Sequence, residues 1–175
     1  MINTTLIFSV PLFTIKINNF YKKKKELNKT LKNYPEIKRP PNIFYTNKNH
    51  TDLKLRTNFC HILKEELTLV SKELKTAISV YDVWSVTYNK GEYTLPHNHG
   101  SQGYSGIMYL DFKGSSPLTT YIQPWNSSQD KTSLYPHPVE EGDMVIFPQY
   151  LLHFTEPNTD KFKKRVISFD FHKTN

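Results

Sequence analysis

From Val80 to Phe112 the chain reads VYDVWSVTYNKGEYTLPHNHGSQGYSGIMYLDF, short segments rich in β-branched and aromatic residues separated by Asn, Gly, Pro and Ser. A hydrophobic period of two, punctuated in this way, specifies strands rather than helices. Strands are expected over 80–88, 93–99 and 104–112, and the same pattern returns over 118–123, 143–147 and 165–172. Six or more short strands without βαβ alternation point to an antiparallel barrel or jelly roll. No internal repeat interrupts this reading.

Upstream of the strands the period changes. Phe59, Ile62, Leu63, Leu67, Val70, Leu74, Ala77 and Ile78 recur at three- and four-residue steps, which predicts one amphipathic helix over 51–78. Residues 4–17 read as an extended segment broken at Pro11, and 19–33 as a polar, Lys-rich stretch with helical potential. Residues 35–44, PEIKRPPNIF, carry three prolines and are expected to run as an irregular connector. The 175 residues suit one domain, with an N-terminal extended segment and supporting helices over 1–78 and the barrel over 79–175. A long loop over 125–139 is expected at one end of the barrel.

Composition narrows the function. The net charge is +7, yet of the 23 basic residues only Arg39, Arg56 and Arg165 are arginines, and no nucleic-acid-binding motif is present. The run Lys22–Lys25 reads as solvated surface, and an acidic partner or substrate stays open. Cys60 is the single cysteine, so no intrachain disulfide forms; at the edge of the apolar stripe it reads as a packed, inert thiol. No basic leader precedes the opening apolar residues and no run approaches the ~18 apolar residues of a membrane span, so a cytoplasmic protein without membrane contact is expected.

The informative histidines lie in TLPHNHG, where His97 and His99 are two apart. In an extended strand Tyr93, Leu95, His97 and His99 share one face, so two imidazoles converge. Gly91 stands six positions before His97, and a second block, GDMVIFPQYLLH, runs from Gly142 to His153. The spacings G-x5-H-x-H and G-x5-P-x4-H resemble the two halves of a cupin motif, whose strands bring the distant histidine to meet the pair. Three neutral imidazoles can occupy one face of a six-coordinate metal and leave the opposite positions open. A structural zinc site would want a fourth ligand, and no cysteine lies near. His137, in YPHP, is expected to face solvent; His50, His61 and His172 are expected to bind no metal.

Arg165 opens the apolar strand RVISFDF, where its fork could hold a carboxylate. The register is ambiguous. Lys164, Val166, Ser168 and Asp170 share one face and Arg165, Ile167, Phe169 and Phe171 the other, so one basic residue of the two faces inward.

With W84-SVTYNKGEYTLPHNHGSQGYSGIMYL, the Pro near 124, EEGDMVIFPQYLLHFTEPN, KRVISFDF and the opening IFSVPLF, the chain resembles the short 2-oxoglutarate- and Fe(II)-dependent oxygenases of bacteria and phages. The resemblance implies a mainly β fold with flanking helices, a cupin-like double-stranded β-helix. It implies Fe(II) bound by His97, His99 and His153 as the catalytic centre, and 2-oxoglutarate as cosubstrate, held by Arg165 or Lys164 with Tyr93 and Ser168 beside it. SGIMY, Ser105 to Tyr109, would be a core strand bordering the pocket. The implied activity is hydroxylation of a substrate with release of succinate and carbon dioxide. His99 stands where this family more often has a carboxylate, which raises the charge of the centre by one unit; three histidines also suit certain cupin dioxygenases and catalytic zinc. Asp170 is an alternative source of the missing carboxylate.

Two other functions compete with this one. The first is a three-histidine cupin-type dioxygenase or isomerase that does not use 2-oxoglutarate. The second is a non-enzymatic barrel acting as a scaffold or virion-associated protein. The substrate, protein or small molecule, and the oligomeric state have no code in the sequence.

Overall fold

The computed structural model describes residues 2–7, 9–39, 43–48, 51–125 and 132–174. Among the described residues, eight strands after residue 76 build the barrel: β5 (Ala77–Tyr88), β6 (Thr94–His97), β7 (Tyr104–Asp111), β8 (Thr119–Ile122), β9 (Leu134–Pro136), β10 (Asp143–Pro148), β11 (His153–Thr155) and β12 (Lys164–Thr174). Four strands precede them, β1 (Ile2–Ile7), β2 (Val10–Lys16), β3 (Ile37–Arg39) and β4 (Phe44–Thr46), with helices α1 (Phe20–Leu31), α2 (Leu53–Ile62) and α3 (Lys64–Glu73). The large sheet runs β1-β2-β10-β7-β12-β5-β4-β3 and the small one β6-β11-β8-β9, with every pairing antiparallel. Apart from the β8–β9 hairpin, which lies wholly in the small sheet, successive barrel strands alternate between the two sheets, the arrangement of a double-stranded β-helix.

The central strands β7 and β10 of the large sheet are buried on both faces along most of their length. Met108, Leu110, Met144, Ile146, Ile167, Phe169 and Phe171 pack towards the helices, against Leu27, Leu55, Phe59, Leu63, Leu67 and Val70. Their alternate neighbours Ile107, Tyr109, Val145, Phe147 and Val166 fill the space between the sheets with Trp84, Tyr88 and Tyr121. Gly106 is required by this packing, because a β-carbon there would overlap the Phe169 ring. Gly142 has φ +88°, the left-handed turn that admits the chain to β10.

Several expectations give way. The segment 4–17 forms two paired strands that extend the barrel sheet across β10. The proline-rich connector contributes β3 and β4, which close the other edge beside β5; residues 40–42 lie outside the described residues. The single helix over 51–78 is two helices. They break at Leu63, which is wholly buried at φ −102° and ψ 23°. Ala77 and Ile78 belong to β5, paired with Thr174 and Lys173, because the run AISVY is β-branched and follows Lys75 in the left-handed conformation. Within 125–139, Leu134–Pro136 is a strand paired with β8, and 126–131 lie outside the described residues. Lys23 and Lys24 are paired rather than free, with Glu65 and Glu66 and with Asp111 and Glu141 respectively. Cys60 packs against the helical core, and burial pushes its thiol up. No helix among the described residues is long and apolar enough to cross a membrane.

Candidate metal centre

β6 and β11 are adjacent in the small sheet, with His97 directly opposite His153. Directly opposed residues of antiparallel strands hold their β-carbons about 5 Å apart, so this register alone brings two imidazoles together. His99 arrives differently. β6 ends at His97, and His99 is turned inward, its backbone N–H donating to the Gln149 carbonyl at 3.0 Å. Leu95, expected on the same face, is exposed at the cavity mouth. Ligand nitrogens of His97, His99 and His153 lie within 4.8 Å of one another. Nitrogens so grouped are candidates to share one ion, which each imidazole would bind at about 2.1 Å.

The hydrogen bonds assign the ring protons. His97 Nδ1 lies 2.8 Å from the Leu95 carbonyl and His153 Nδ1 3.0 Å from the Leu151 carbonyl. A carbonyl only accepts, so each Nδ1 carries hydrogen and each Nε2 presents a lone pair. His99 Nδ1 lies 2.8 Å from Asp170 Oδ1 and 2.9 Å from Ser105 Oγ, while the Ser105 hydroxyl donates to the same carboxylate at 2.6 Å. Burial lowers His97, with the charges of His99 and Lys48 adding to it, and burial beside His97 and His99 holds His153 well below the ordinary imidazole value. The donor set therefore fits a divalent transition metal: imidazole nitrogens whose far sides are anchored, as metal-bound histidines characteristically are.

These residues open into a cavity of about 510 Å³ walled by Trp84, Val86, Tyr88, Ile107 and Val166. The pairing of β12 with β5 is continuous from Lys164↔Tyr88 to Asp170↔Asp82, so Lys164, Val166, Ser168 and Asp170 face inward together. Lys164 lines the cavity and has no exposed surface; its Nζ donates to the Pro117 carbonyl at 2.8 Å and to Thr155 Oγ1 at 3.4 Å. Among the described residues it has no carboxylate partner, and burial pushes its ammonium down to about 7. Ser168 lines the same cavity.

Arg165 is corrected by the same register. It lies on the other face, Nε donating to Asp111 Oδ2 at 2.7 Å and Nη2 to Asn28 Oδ1 at 2.6 Å. Tyr93 is absent from the cavity wall, where Thr94 stands instead. Asp170 adjoins the trio as the hydrogen-bond acceptor of His99. His137 is buried, not solvent-facing, with Nε2 2.9 Å from Thr14 Oγ1. His61 is exposed, His172 stacks on Tyr81, and His50 lies outside the described residues. Residues to which sequence reasoning gave no site role are Ser105, placed only on a strand bordering the pocket, Trp84, whose ring centroid is 5.4 Å from that of His99, and the cavity cations Arg39 and Lys48. Inward parity with Ile107 and Tyr109 was the available signal for Ser105.

Solved structures share this architecture. HygX from Streptomyces hygroscopicus, determined with nickel and 2-oxoglutarate bound, aligns with a TM-score of 0.71 at 13% identity, over 94% of this chain and 84% of its own. AviO1 from Streptomyces viridochromogenes Tue57 aligns at 0.67 and 13% identity, over 98% and 97%. The non-heme alpha-ketoglutarate-dependent carbocyclase SnoK from nogalamycin biosynthesis aligns at 0.70 and 11%, over 93% and 79%. At these identities the likeness is one of fold. No curated protein sequence matches the chain. A family model described as "Putative 2OG-Fe(II) oxygenase" matches residues 82–170, just over half the chain. That stretch contains both histidine blocks, Lys164 and Asp170, and by it the chain belongs to the 2OG-Fe(II) oxygenase family, enzymes of iron and 2-oxoglutarate.

Proposed function

We propose that this protein is an Fe(II)- and 2-oxoglutarate-dependent dioxygenase that hydroxylates its substrate, with His97, His99 and His153 as iron ligands and Lys164 as anchor of the cosubstrate's distal carboxylate. One observation carries the reading: a fully buried lysine with no carboxylate partner among the described residues shares a cavity with three imidazoles whose Nδ1 atoms are all tied back. Iron, when bound, supplies the oxidising chemistry, in which dioxygen gives one oxygen atom to 2-oxoglutarate, yielding succinate and carbon dioxide, and the other to a substrate C–H bond.

The chain's own residues supply position and environment. The three imidazoles of His97, His99 and His153 would hold the ion and leave coordination positions for the 2-oxo acid. Lys164 and Ser168 face inward on β12 along with Asp170, so one strand offers both the anchor for the far carboxylate and the support for His99. Trp84, Val86, Ile107 and Val166 exclude water, and in such a low-dielectric site the pairing of Lys164 with a carboxylate is worth more than at the surface. Neither Arg165 nor Tyr93 is assigned a role, the first being bound to Asp111 and Asn28 and the second lying off the cavity wall.

The presence of His99, where an acidic ligand is usual in this family, favours a second reading: a three-histidine metalloenzyme whose substrate itself chelates the metal. Incubation of the protein with iron, ascorbate and 2-oxoglutarate separates the two. Slow succinate formation without added substrate is expected. Full iron occupancy with neither turnover nor 2-oxoglutarate binding would favour the second reading.

A further inference from the structure

The described residues that line the cavity include Arg39, Lys48 and Lys164 and not one Asp or Glu. Several cations outside the cavity have carboxylate partners. Lys16 pairs with Glu140 and Asp143, Lys23 with Glu65 and Glu66, Lys24 with Asp111 and Glu141. Lys38, the residue before Arg39, reaches Glu92. Of the three arginines, Arg165 is held by Asp111 and Asn28 and Arg56 donates to the Tyr81 carbonyl, while Arg39, on the cavity wall, has no carboxylate partner among the described residues. Lys48 has none either, and its Nζ lies 3.8 Å over the Trp84 ring, which in turn stands beside His99.

The two cations share one wall. Arg39 ends β3 at the loop end of the β3–β4 hairpin, opposite Phe44, and Lys48 lies two residues past β4; both line the cavity from this hairpin, while Lys164 lines it from β12. Unpaired cations around a partly enclosed, low-dielectric cleft raise the local potential and concentrate anions there. The cavity, about 510 Å³, has the size of a small-molecule site.

From this distribution, and resting on the function proposed above, we infer that the substrate of this site is a small organic anion whose carboxylate or phosphate is held at the rim by Lys48 and Arg39. The Trp84 ring beneath Lys48 supports its apolar part, and the C–H to be oxidised is presented towards the histidines. The distal carboxylate of the cosubstrate is a separate anion on a separate lysine.

The test uses the full chain loaded with Mn(II) and saturated with 2-oxoglutarate at low ionic strength, titrated calorimetrically with matched probes: benzoate against benzamide, and phenyl phosphate against phenol. The anions are expected to bind and their neutral partners not, and whichever anion binds more tightly assigns carboxylate or phosphate. In the double variant Arg39→Gln, Lys48→Gln, anion affinity should fall by about tenfold or more, with 2-oxoglutarate affinity within about twofold of the parent. The double variant Arg39→Lys, Lys48→Arg should retain most of the anion binding. Equal binding of the neutral probes, undiminished anion binding by the glutamine variant, or its loss of 2-oxoglutarate would overturn the inference. If the unmodified protein binds 2-oxoglutarate but neither anion, this inference alone fails. If it binds no 2-oxoglutarate, the function proposed above fails first.

Discussion

His99 Nδ1 stands 2.8 Å from Asp170 Oδ1, joining an imidazole that follows β6 of the small sheet to a carboxylate on β12 of the large one. With His99 as a ligand of the proposed iron site, the carboxylate that this family more often places on the metal would stand one residue back, behind the imidazole. Ser105, paired with Asp170 across β7 and β12, donates to the same oxygen and fixes the carboxylate's orientation. Replacement of Asp170 by Asn removes the charge and keeps the shape. Metal affinity is expected to fall by about 10- to 100-fold, the usual consequence of losing such a support. Mn(II) titration followed by electron paramagnetic resonance measures it, and unchanged affinity would show that Asp170 only fills space.

Lys164 and Arg165 are neighbours with opposite fates, so their substitutions should separate. Lys164→Met is expected to abolish detectable 2-oxoglutarate binding while the metal is retained. Arg165→Gln should leave cosubstrate affinity within about twofold and cost at most about 1 kcal/mol of stability, because its partner Asp111 is partly exposed. The reverse pattern in calorimetry and urea unfolding would mean that the register of β12 is wrong.

The ammonium of Lys164 is pushed down to about 7 by burial, whereas an unfolded lysine titrates near 10.4. Between those values the unfolded chain binds more protons than the folded one, so this residue's contribution to stability rises with pH across that window. Cosubstrate binding follows the opposite course, since a carboxylate requires the charged form. The titratable groups facing Lys164 are the phenols of Tyr88 and Tyr109, and burial keeps both protonated. The dissociation constant for 2-oxoglutarate should therefore rise above pH 7, by up to about tenfold per unit until the bound lysine also titrates. Calorimetry from pH 7 to 9 in several buffers checks this; a flat profile counts against Lys164 as the anchor.

Gly106 lies in β7 with its α-carbon against Phe169 of β12. Gly106→Ala forces the two strands or the ring apart and should destabilise the fold by about 1–3 kcal/mol, the usual cost of overpacking. Urea unfolding measures the loss. A neutral substitution would mean that the contact is looser than described.

Much of the barrel and of the histidine trio was legible in the sequence because period-two patterning and the two glycine-histidine blocks are local signals. Elements that depend on long-range pairing were not. β11 is three residues long and means nothing until His153 is set opposite His97. β3 and β4 hide in a proline-rich stretch, since Arg39 and Phe44 pair only as a sheet edge beside β5. The choice between Lys164 and Arg165 awaited the partner strand, because both parities of KRVISFDF read plausibly: one faces the helices with Ile167, Phe169 and Phe171, the other faces the cavity with Ser168 and Asp170. His137 looked like loop surface because nothing local reveals Thr14 as its partner.

The central claim is that three tethered imidazoles hold iron and that a bound 2-oxo acid completes its coordination. Anaerobic titration of the Fe(II)-loaded protein with 2-oxoglutarate tests it directly, through the visible charge-transfer band that chelation of a 2-oxo acid to iron produces. The account requires the band to grow to saturation at one equivalent per chain, to be absent in His153→Ala, and to need far more 2-oxoglutarate in Lys164→Met. A protein that holds one iron per chain and develops no band at saturating 2-oxoglutarate would contradict it.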